Sequence, residues 1–363
     1  MTSPRHGDTA VDVLVVGAGP VGLASAIHAR AAGLDVLVVD RRAGTIDKAC
    51  GEGLLPGALA AVRALGVDPP GHPLTGISYR APGRHADHRF AAAPGRGVRR
   101  TTLHHALSER AAAVGAALMH GRVTSLRQDP LGVTVEVTPA GGMPLTVRAG
   151  WVLGCDGLGS TVRRLSGLDA APARRTGQDH PRYGLRRHFQ IEPWTDLVEV
   201  HWSAHAEAYV TPVAADTVGV ALLGTRAVCG AGFDHLLRSQ FPELGERLAA
   251  ATASGSVLGA GPLRRRSRRR TAGRVRLVGD ASGYVDALTG EGVRVGLAQA
   301  DAAVRHLGDG DGYERAWRTA TRDYRTLTTG LLAWAGSPAR RAIVPAAERA
   351  PWLYGAVVER LAR

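Results

Sequence analysis

Residues 12–42 read DVLVVGAGPVGLASAIHARAAGLDVLVVDRR, the pattern of a βαβ unit. The apolar run Val11–Val16, broken only by Asp12, predicts a buried parallel strand. It leads into Gly17-Ala18-Gly19-Pro20-Val21-Gly22, then an alanine-rich amphipathic stretch to about Ala32 that Gly33 terminates. A second apolar run, Val36–Val39, closes on Asp40. Strand, G-x-G-x-x-G, helix, strand and terminal acid arrive in register. Gly17 permits the tight turn, Gly19 lets the backbone approach a pyrophosphate, and Gly22 lets the helix pack on the sheet. The helix N-terminus offers free N–H groups and a partial positive charge to phosphates. Asp40 is placed to accept hydrogen bonds from a ribose. The stretch predicts a dinucleotide site.

The 363 residues leave room for one large α/β domain or two coupled ones, and 45% apolar content describes a folded chain. No run of about eighteen apolar residues predicts a membrane span. Residues 1–10 are short and polar and lack an apolar signal core, and three cysteines lack metal-ligand or disulfide-framework spacing. A cytoplasmic protein without a metal site is expected. The net charge of +13 comes almost wholly from arginine, Lys48 being the single lysine. The densest run, Arg264–Arg270, has no interleaved aromatics and no recognition motif, so no nucleic-acid partner is expected. It reads as a solvated connection; the functional alternative is weak attraction to membrane surfaces or to nucleotide phosphates.

Further along, Leu54–Leu65 reads as a helix, as does Arg100–Ala113, while 67–96 is a Pro-, Gly- and His-rich insertion with short strands near 77–80 and 88–90. Val133–Val137 and Leu145–Arg148 alternate like a hairpin, and Trp151–Leu153 reads as a separate short strand ending on GCDGLGS, with a helix over Thr161–Leu165. Between 180 and 265 antiparallel strands are expected over Tyr183–Gln190, Leu197–Ser203, Ala208–Thr211 and Thr217–Leu223, interrupted by a helix over Phe233–Ala251 with Pro242 at a bend. The α/β pattern returns at Val275–Gly279 and a helix follows from Val293 to His306. Residues 313–361 read as helices, and Gly308–Gly312 (GDGDG) as a turn.

No second dinucleotide fingerprint is present. A different glycine-rich element lies at 277–292, LVGDASGYVDALTGEG: a strand ends on Gly279-Asp280, and a helix begins at a glycine-rich turn. A carboxylate at a strand's end suits a sugar-alcohol hydroxyl, and the amides of Gly290–Val293 suit a polarised ring carbonyl. A polyol joined to a ring at one end and a pyrophosphate at the other is FAD.

These motifs together resemble the flavoprotein family of para-hydroxybenzoate hydroxylase and geranylgeranyl reductase. The resemblance rests on GAGPVG with Asp40, on Asp156-Gly157 within GCDGLGS, and on Gly279-Asp280 with Thr289-Gly290-Glu291-Gly292. It implies an α/β fold: a Rossmann-like FAD-binding domain of the glutathione-reductase type with an inserted, mostly antiparallel β substrate domain and C-terminal helices. The expected division is 1–72, 97–178 and 266–312 for FAD, 73–96 and 179–265 for substrate, and 313–363 for the helices. As cofactor-binding residues it implies Gly17, Gly19, Pro20, Gly22, Asp40, Arg41, Arg100, Val123, Asp156, Gly157, Asp280, Gly290, Glu291 and Gly292. NADPH or NADH is implied as a transiently bound co-substrate.

The chain departs from hydroxylases in lacking prolines after the second Gly-Asp; positions 284–287 read Tyr-Val-Asp-Ala. The loop Asp47–Gly53 and the Thr-Gly-Glu-Gly ending are more similar to the geranylgeranyl-reductase branch. Cys50 reads as an uncharged wall residue or a nucleophile, and Lys48 and Glu52 as loop braces or catalytic groups. On the substrate side Arg186, Arg187, His188, Trp194, His201, Trp202, His205 and Tyr209 are candidates, about half of which must face away from a pocket. Cys50, Arg187, His201 and Tyr209 are taken as substrate-binding, with a pocket base, expected to be a histidine, not identified. The activity the resemblance implies is aromatic monooxygenation with O2 through a flavin C4a-hydroperoxide, on a phenolic lipid or polyketide-type substrate. The alternative is an ene-reductase saturating isoprenoid double bonds. Weak peripheral membrane contact is compatible with either; the sequence leaves the oligomeric state open.

Overall fold

The computed structural model describes residues 9–170 and 181–363. The 178/179 boundary expected from sequence and residues 1–8 of the polar N-terminus lie outside them. Strand β1 (Thr9–Val16), helix α1 (Pro20–Ala31) and strand β2 (Val36–Asp40) form the βαβ unit, with β1 and β2 parallel. The parallel sheet continues from β2 to Ala117–His120 on one side. On the other side β1 pairs with Leu145–Gly154, and that strand with Val275–Leu277. Gly132–Pro139 pairs antiparallel with both Ala117–Asp129 and Leu145–Gly154, which bend out of the parallel sheet into a three-stranded meander.

β1 and β2 are apolar along their buried lengths because both faces of the sheet are covered. Val13, Val15, Val36 and Val38 pack against α1 and the helices Pro56–Ala64, Arg100–Ala113 and Gly292–Arg305. Leu14, Val16, Leu37 and Val39 pack against the meander residues Val133, Val135 and Val147 on the opposite face.

A second seven-stranded sheet runs in the order Thr252–Ala260, Arg182–Gln190, Thr217–Thr225, Ala206–Ala214, Leu197–Trp202, Gly76–Ala81, Arg84–Arg89. All its pairings are antiparallel except Leu197–Trp202 with Gly76–Ala81. Strand parity divides its side chains. Ala206, Ala208, Val210, Val218, Val220 and Leu222 pack against the helices Phe233–Gln240 and Pro242–Arg247. Ile77, Val198, Val200, Trp202, Tyr209 and Leu223 face the C-terminal helices, with Ile343, Val344, Tyr354 and Val358.

Several element boundaries differ from the sequence expectation. Leu145–Arg148 and Trp151–Leu153 belong to one strand, because the chain switches partners between them without breaking. Leu54 pairs in a small sheet with Gly95–Gly97, so its helix begins at Pro56. The bend expected at Pro242 is a full break: Phe241, with φ −139°, separates the helices Phe233–Gln240 and Pro242–Arg247. The GDGDG turn ends early: Asp309 caps the 26-residue helix Gly310–Ala335 by accepting from the Gly312 amide.

Candidate active site

The carboxyl ends of the parallel strands open onto a cavity of about 610 Å³ that extends to the inner face of the second sheet. At one end is the glycine turn. Gly17 has φ +106°, and a Cβ there would lie 2.6 Å from the Cys155 carbonyl oxygen; at Gly22 it would lie 1.8 Å from the Gly17 oxygen. Gly22 therefore lies behind the turn, where it lets α1 close on it, and does not line the cavity. Gly17, Gly19 and Pro20 do, and α1 begins with no side-chain cap on its amides.

Asp40 ends β2 and is 5% exposed. Its Oδ2 accepts from the Ala18 amide at 2.8 Å and its Oδ1 from the Arg42 amide at 2.9 Å. Burial opposes its charge, but the hydrogen bonds from Arg42 and Ala18 outweigh burial and hold the carboxyl below the usual aspartate range. Arg41 and Val123 line the cavity beside it.

Arg100 opens the helix Arg100–Ala113 and is 6% exposed. Its Nη2 lies 3.8 Å from where a Gly19 Cβ would stand, and its Nη1 is buried without a hydrogen-bond partner. Burial disfavours its charge. An orphaned guanidinium N–H over a glycine turn is a stabilised arrangement only with an anion present. A pyrophosphate between Gly17–Pro20 and Arg100 fits that requirement, so the residues present match FAD.

Asp156 and Gly157 follow the central strand. The Asp156 carboxylate accepts from Ser160 Oγ at 2.5 Å, the Thr161 amide at 2.6 Å and the Val162 amide at 3.1 Å. It thus caps the short helix Thr161–Leu165 and fixes the turn whose Gly157 backbone, at φ +75°, faces the cavity. Asp280 sits in a 3₁₀ turn over Gly279–Ser282, with Lys48 Nζ 3.8 Å from its Oδ2. Gly290 and Gly292 line the cavity where the helix Gly292–Arg305 begins. Glu291 does not: its side chain is buried in an ion pair with Arg294, one helical turn on. That corrects its assignment to a side-chain contact with the cofactor, and leaves only its backbone amide in the Gly290–Val293 turn.

Two of the four expected substrate residues line the cavity, Cys50 and Tyr209. Burial pushes the Cys50 thiol up, with Glu52 adding to the effect, so it is an uncharged wall group at neutral pH. Tyr209 donates to the Leu288 carbonyl at 2.6 Å, tying the second sheet to the loop before Gly290. Arg187 and His201 are corrections. Strand parity turns both away: Arg187 pairs with Asp234 on the covering helix at 3.2 Å, and His201 pairs with the buried Glu199 at 2.9 Å. Trp194 also donates to Glu199 on that outer face, His205 sits on an exposed hairpin, and Trp202 packs inward away from the cavity lining. No histidine among the described residues lines the cavity, so the expected histidine base is not found there.

A buried polar network lies at the cavity floor instead. His188 is bonded to Glu52 at 2.6 Å and Arg186 Nη1 donates to His188 Nδ1 at 3.0 Å. Arg186 also pairs with Asp47, and Glu52 accepts from the Arg100 amide at 2.8 Å. Glu52 has φ +59°, the only described non-glycine residue at positive φ. The sequence offered Asp47 and Glu52 as loop charges and Arg186 and His188 as strand charges, but nothing in it joined them.

Among the described residues no cluster of metal-ligating side chains occurs, and no helix is long and apolar enough to cross a membrane. Residues 10–202 match the FAD binding domain family. The chain is 38% identical over 170 residues to the 12-dehydrotetracycline 5-monooxygenase/anhydrotetracycline 6-monooxygenase of Streptomyces rimosus, a match covering 44% of this chain and 33% of that protein. It is 30% identical over 361 residues to the menaquinone reductase of Mycolicibacterium smegmatis, covering 87% of this chain and 81% of the relative. It spans about a third of the length of the antibiotic monooxygenases it matches. Its fold superposes on the flavin-dependent brominase Bmp2 with TM-score 0.76 over 98% of this chain and 94% of that chain, at 18% identity. With the glycine turn, the orphaned Arg100 and the two glycine-rich loops converging on one cavity, the chain belongs to the FAD binding domain family.

Proposed function

We propose that this protein is a monooxygenase that hydroxylates an electron-rich aromatic ring, with a reduced pyridine nucleotide as electron donor. The observation that carries the reading is the compartment beyond the glycine loops. It is continuous with the FAD cavity and walled by Ile77, Tyr79, Val198, Val200, Tyr209 and Leu223. Leu361 of the helix Pro351–Ala362 also lines it. Apolar walls with phenol rings suit a planar ring bearing an apolar substituent. The antibiotic monooxygenases to which the chain is similar support the same class.

In this reading Gly17–Pro20 and Arg100 hold the pyrophosphate, Asp40 the ribose, and Asp280 the sugar alcohol. The Gly290–Val293 amides orient the ring. Bound FAD supplies two-electron redox chemistry and, when reduced, reactivity toward oxygen. The chain's contribution is orientation and exclusion of water. Burial keeps the phenols of Tyr79 and Tyr209 protonated, and the raised Cys50 thiol adds no charge to the wall.

A second reading, a reductase saturating an isoprenoid double bond, is favoured by one observation: the relatives aligned along most of the chain are menaquinone reductase and digeranylgeranylglycerophospholipid reductase. One assay separates the two. An alkylresorcinol and a polyprenyl substrate are incubated with NADPH in air and under nitrogen. Oxygen uptake coupled to a hydroxylated ring supports the first reading; anaerobic saturation of the alkene overturns it in favour of the second.

A further inference from the structure

The loop between Asp280 and the 290–293 amides carries a buried charge that the cofactor reading does not use. Asp286 is 2% exposed, and its Oδ2 accepts from Arg182 Nε at 3.0 Å. Arg182 Nη2 donates to Glu207 Oε2 at 2.5 Å. Glu207 is fully buried, and Arg340 Nη2 lies 2.6 Å from its other oxygen. Arg340 in turn donates to the carbonyls of Ser203, Ala335 and Ala206. Two guanidinia and two carboxylates thus form one chain of contacts. It runs from the 3₁₀ turn Pro338–Ala342, through two strands of the second sheet, to the loop ahead of Gly290. None of the four lines the cavity.

Burial lifts the Asp286 carboxyl above its ordinary range in spite of Arg182. A packed apolar cluster would hold the same elements together without desolvating four charges, so cohesion alone does not account for them. Charged hydrogen bonds add direction, because each sets one atom at a fixed distance and angle from another.

What they fix is a loop with little stiffness of its own. Residues 284–289 contain no proline and lie between Gly283 and Gly290. Tethers supply the restraint. Tyr324 Oη donates to the Asp286 carbonyl at 3.0 Å and accepts from the Val285 amide at 3.1 Å. Asp286 Oδ1 accepts from the Leu288 amide at 3.1 Å, and the Leu288 carbonyl accepts from Tyr209 at 2.6 Å. Glu207 and Tyr209 stand two residues apart on one strand and share a face of it. The face that walls the apolar compartment therefore also grips this loop, and Ala287 and Leu288 line the cavity just ahead of Gly290.

We propose that Arg182 and Asp286, backed by Glu207 and Arg340, are positioning residues for the flavin ring: they fix the 290–293 amides against the wall of the apolar compartment. The proposal rests on the reading that those amides seat the ring. It does not depend on whether the product is a hydroxylated ring or a saturated alkene.

The test separates the two halves of the cofactor. FAD and ADP are titrated into apoprotein; ADP has the adenosine and pyrophosphate and lacks the ring. Arg182→Met/Asp286→Asn removes the tether, keeps an acceptor at position 286 for the Leu288 amide, and leaves Glu207 paired with Arg340. No charge is then buried alone. Asp286→Asn is the milder companion, and urea unfolding verifies that each variant is folded. The proposal expects FAD to bind about fivefold or more weakly while ADP affinity holds. It also expects an altered visible circular dichroism of the bound flavin. Unchanged FAD affinity in both variants overturns the proposal. Equal losses of FAD and ADP affinity also overturn it, and mark the network as support for the fold alone. Wild-type protein that binds FAD no more tightly than ADP removes the ring's seat, and the positioning role with it. The oxygen assay judges the proposed reaction separately.

Discussion

Glu52 and His188 stand 136 residues apart, yet His188 Nε2 donates to Glu52 Oε2 over 2.6 Å with both side chains at most 4% exposed. The direction follows from Arg186, which donates to Nδ1 and leaves Nε2 to carry the proton. The pair joins the loop after β2 to the second sheet, and Glu52 also receives the amide that opens the Arg100 helix.

Glu52→Ala is therefore expected to destabilise the fold by about 3–5 kcal/mol, the cost of breaking a buried ionic network from one side. Glu52→Gln retains an acceptor for the Arg100 amide but sets an amide against the His188 donor, with an expected loss of about 1–3 kcal/mol. Urea unfolding of both variants checks the order. Equal stability of Glu52→Ala and wild type removes the network from the account of the cavity floor.

Arg100 leaves Nη1 buried and unpartnered above the glycine turn. Arg100→Met removes the charge-assisted contact to the pyrophosphate while keeping most of the side-chain volume. FAD affinity should fall by about tenfold or more, read by quenching of flavin fluorescence on titration into apoprotein. Thermal stability of the apoprotein should hold or rise, because a buried unpaired cation has gone. An unchanged FAD affinity places the pyrophosphate elsewhere.

Gly22→Ala sets a methyl 1.8 Å from the Gly17 carbonyl oxygen, against backbone that cannot step aside. α1 must shift off the turn, and the expected outcome is protein without bound FAD, measured as the ratio of flavin to protein absorbance. Gly19→Ala is a graded companion: the nearest atom to its Cβ is Arg100 Nη2 at 3.8 Å, so it should fold and bind FAD more weakly.

These predictions lean on features of unequal legibility. The βαβ unit was readable because a turn, a helix start and two apolar strands are local patterns with one consistent register. The second sheet was readable as strands, but alternation gives a period and not a phase. Arg187, His201 and Tyr209 were all placed on the cavity face; the structure keeps Tyr209 there, turns Arg187 and His201 away and brings Arg186 to the cavity. Only the helices at 233–247, covering the other face, set that phase. The strand Ala117–Asp129 went unseen because much of it is exposed and polar. Glu291 looked like part of an anion-binding turn, although Arg294, three residues on, is the spacing of a helical ion pair.

Asp40 carries a pH dependence whose sign is set. Its native pKa lies below the ordinary value of 3.8, so the folded state binds fewer protons than the unfolded state near that value. Its contribution to stability is complete above that ordinary range and is lost as pH falls through the depressed native value. Asp40→Asn should lower apoprotein stability at pH 7 and make its decline between about pH 5 and pH 2 shallower. Urea midpoints across that range check both limbs. A steeper acid decline in the variant contradicts the assignment.

Ala221 lies on the cavity face of its strand, directly across from Tyr209 in register. It belongs to the second sheet and to none of the loops proposed to hold FAD. Cross-strand partners stand about 4.5–5.5 Å apart at Cβ, so a phenylalanine there would lie beside the Tyr209 ring and project into open cavity. Overpacking is costly in a filled core, but here the added ring has space, so the fold should tolerate Ala221→Phe within about 1 kcal/mol. FAD content should be unchanged. A substrate that fills the compartment should lose affinity by about tenfold or more, while a small phenol lacking the apolar substituent should be turned over as before. That contrast separates a blocked compartment from a damaged enzyme, because damage would slow both substrates together. If the bulky substrate is handled normally, the ring and its substituent occupy a different path, and the apolar wall of Ile77, Val198, Val200 and Leu223 is core packing and not a binding surface.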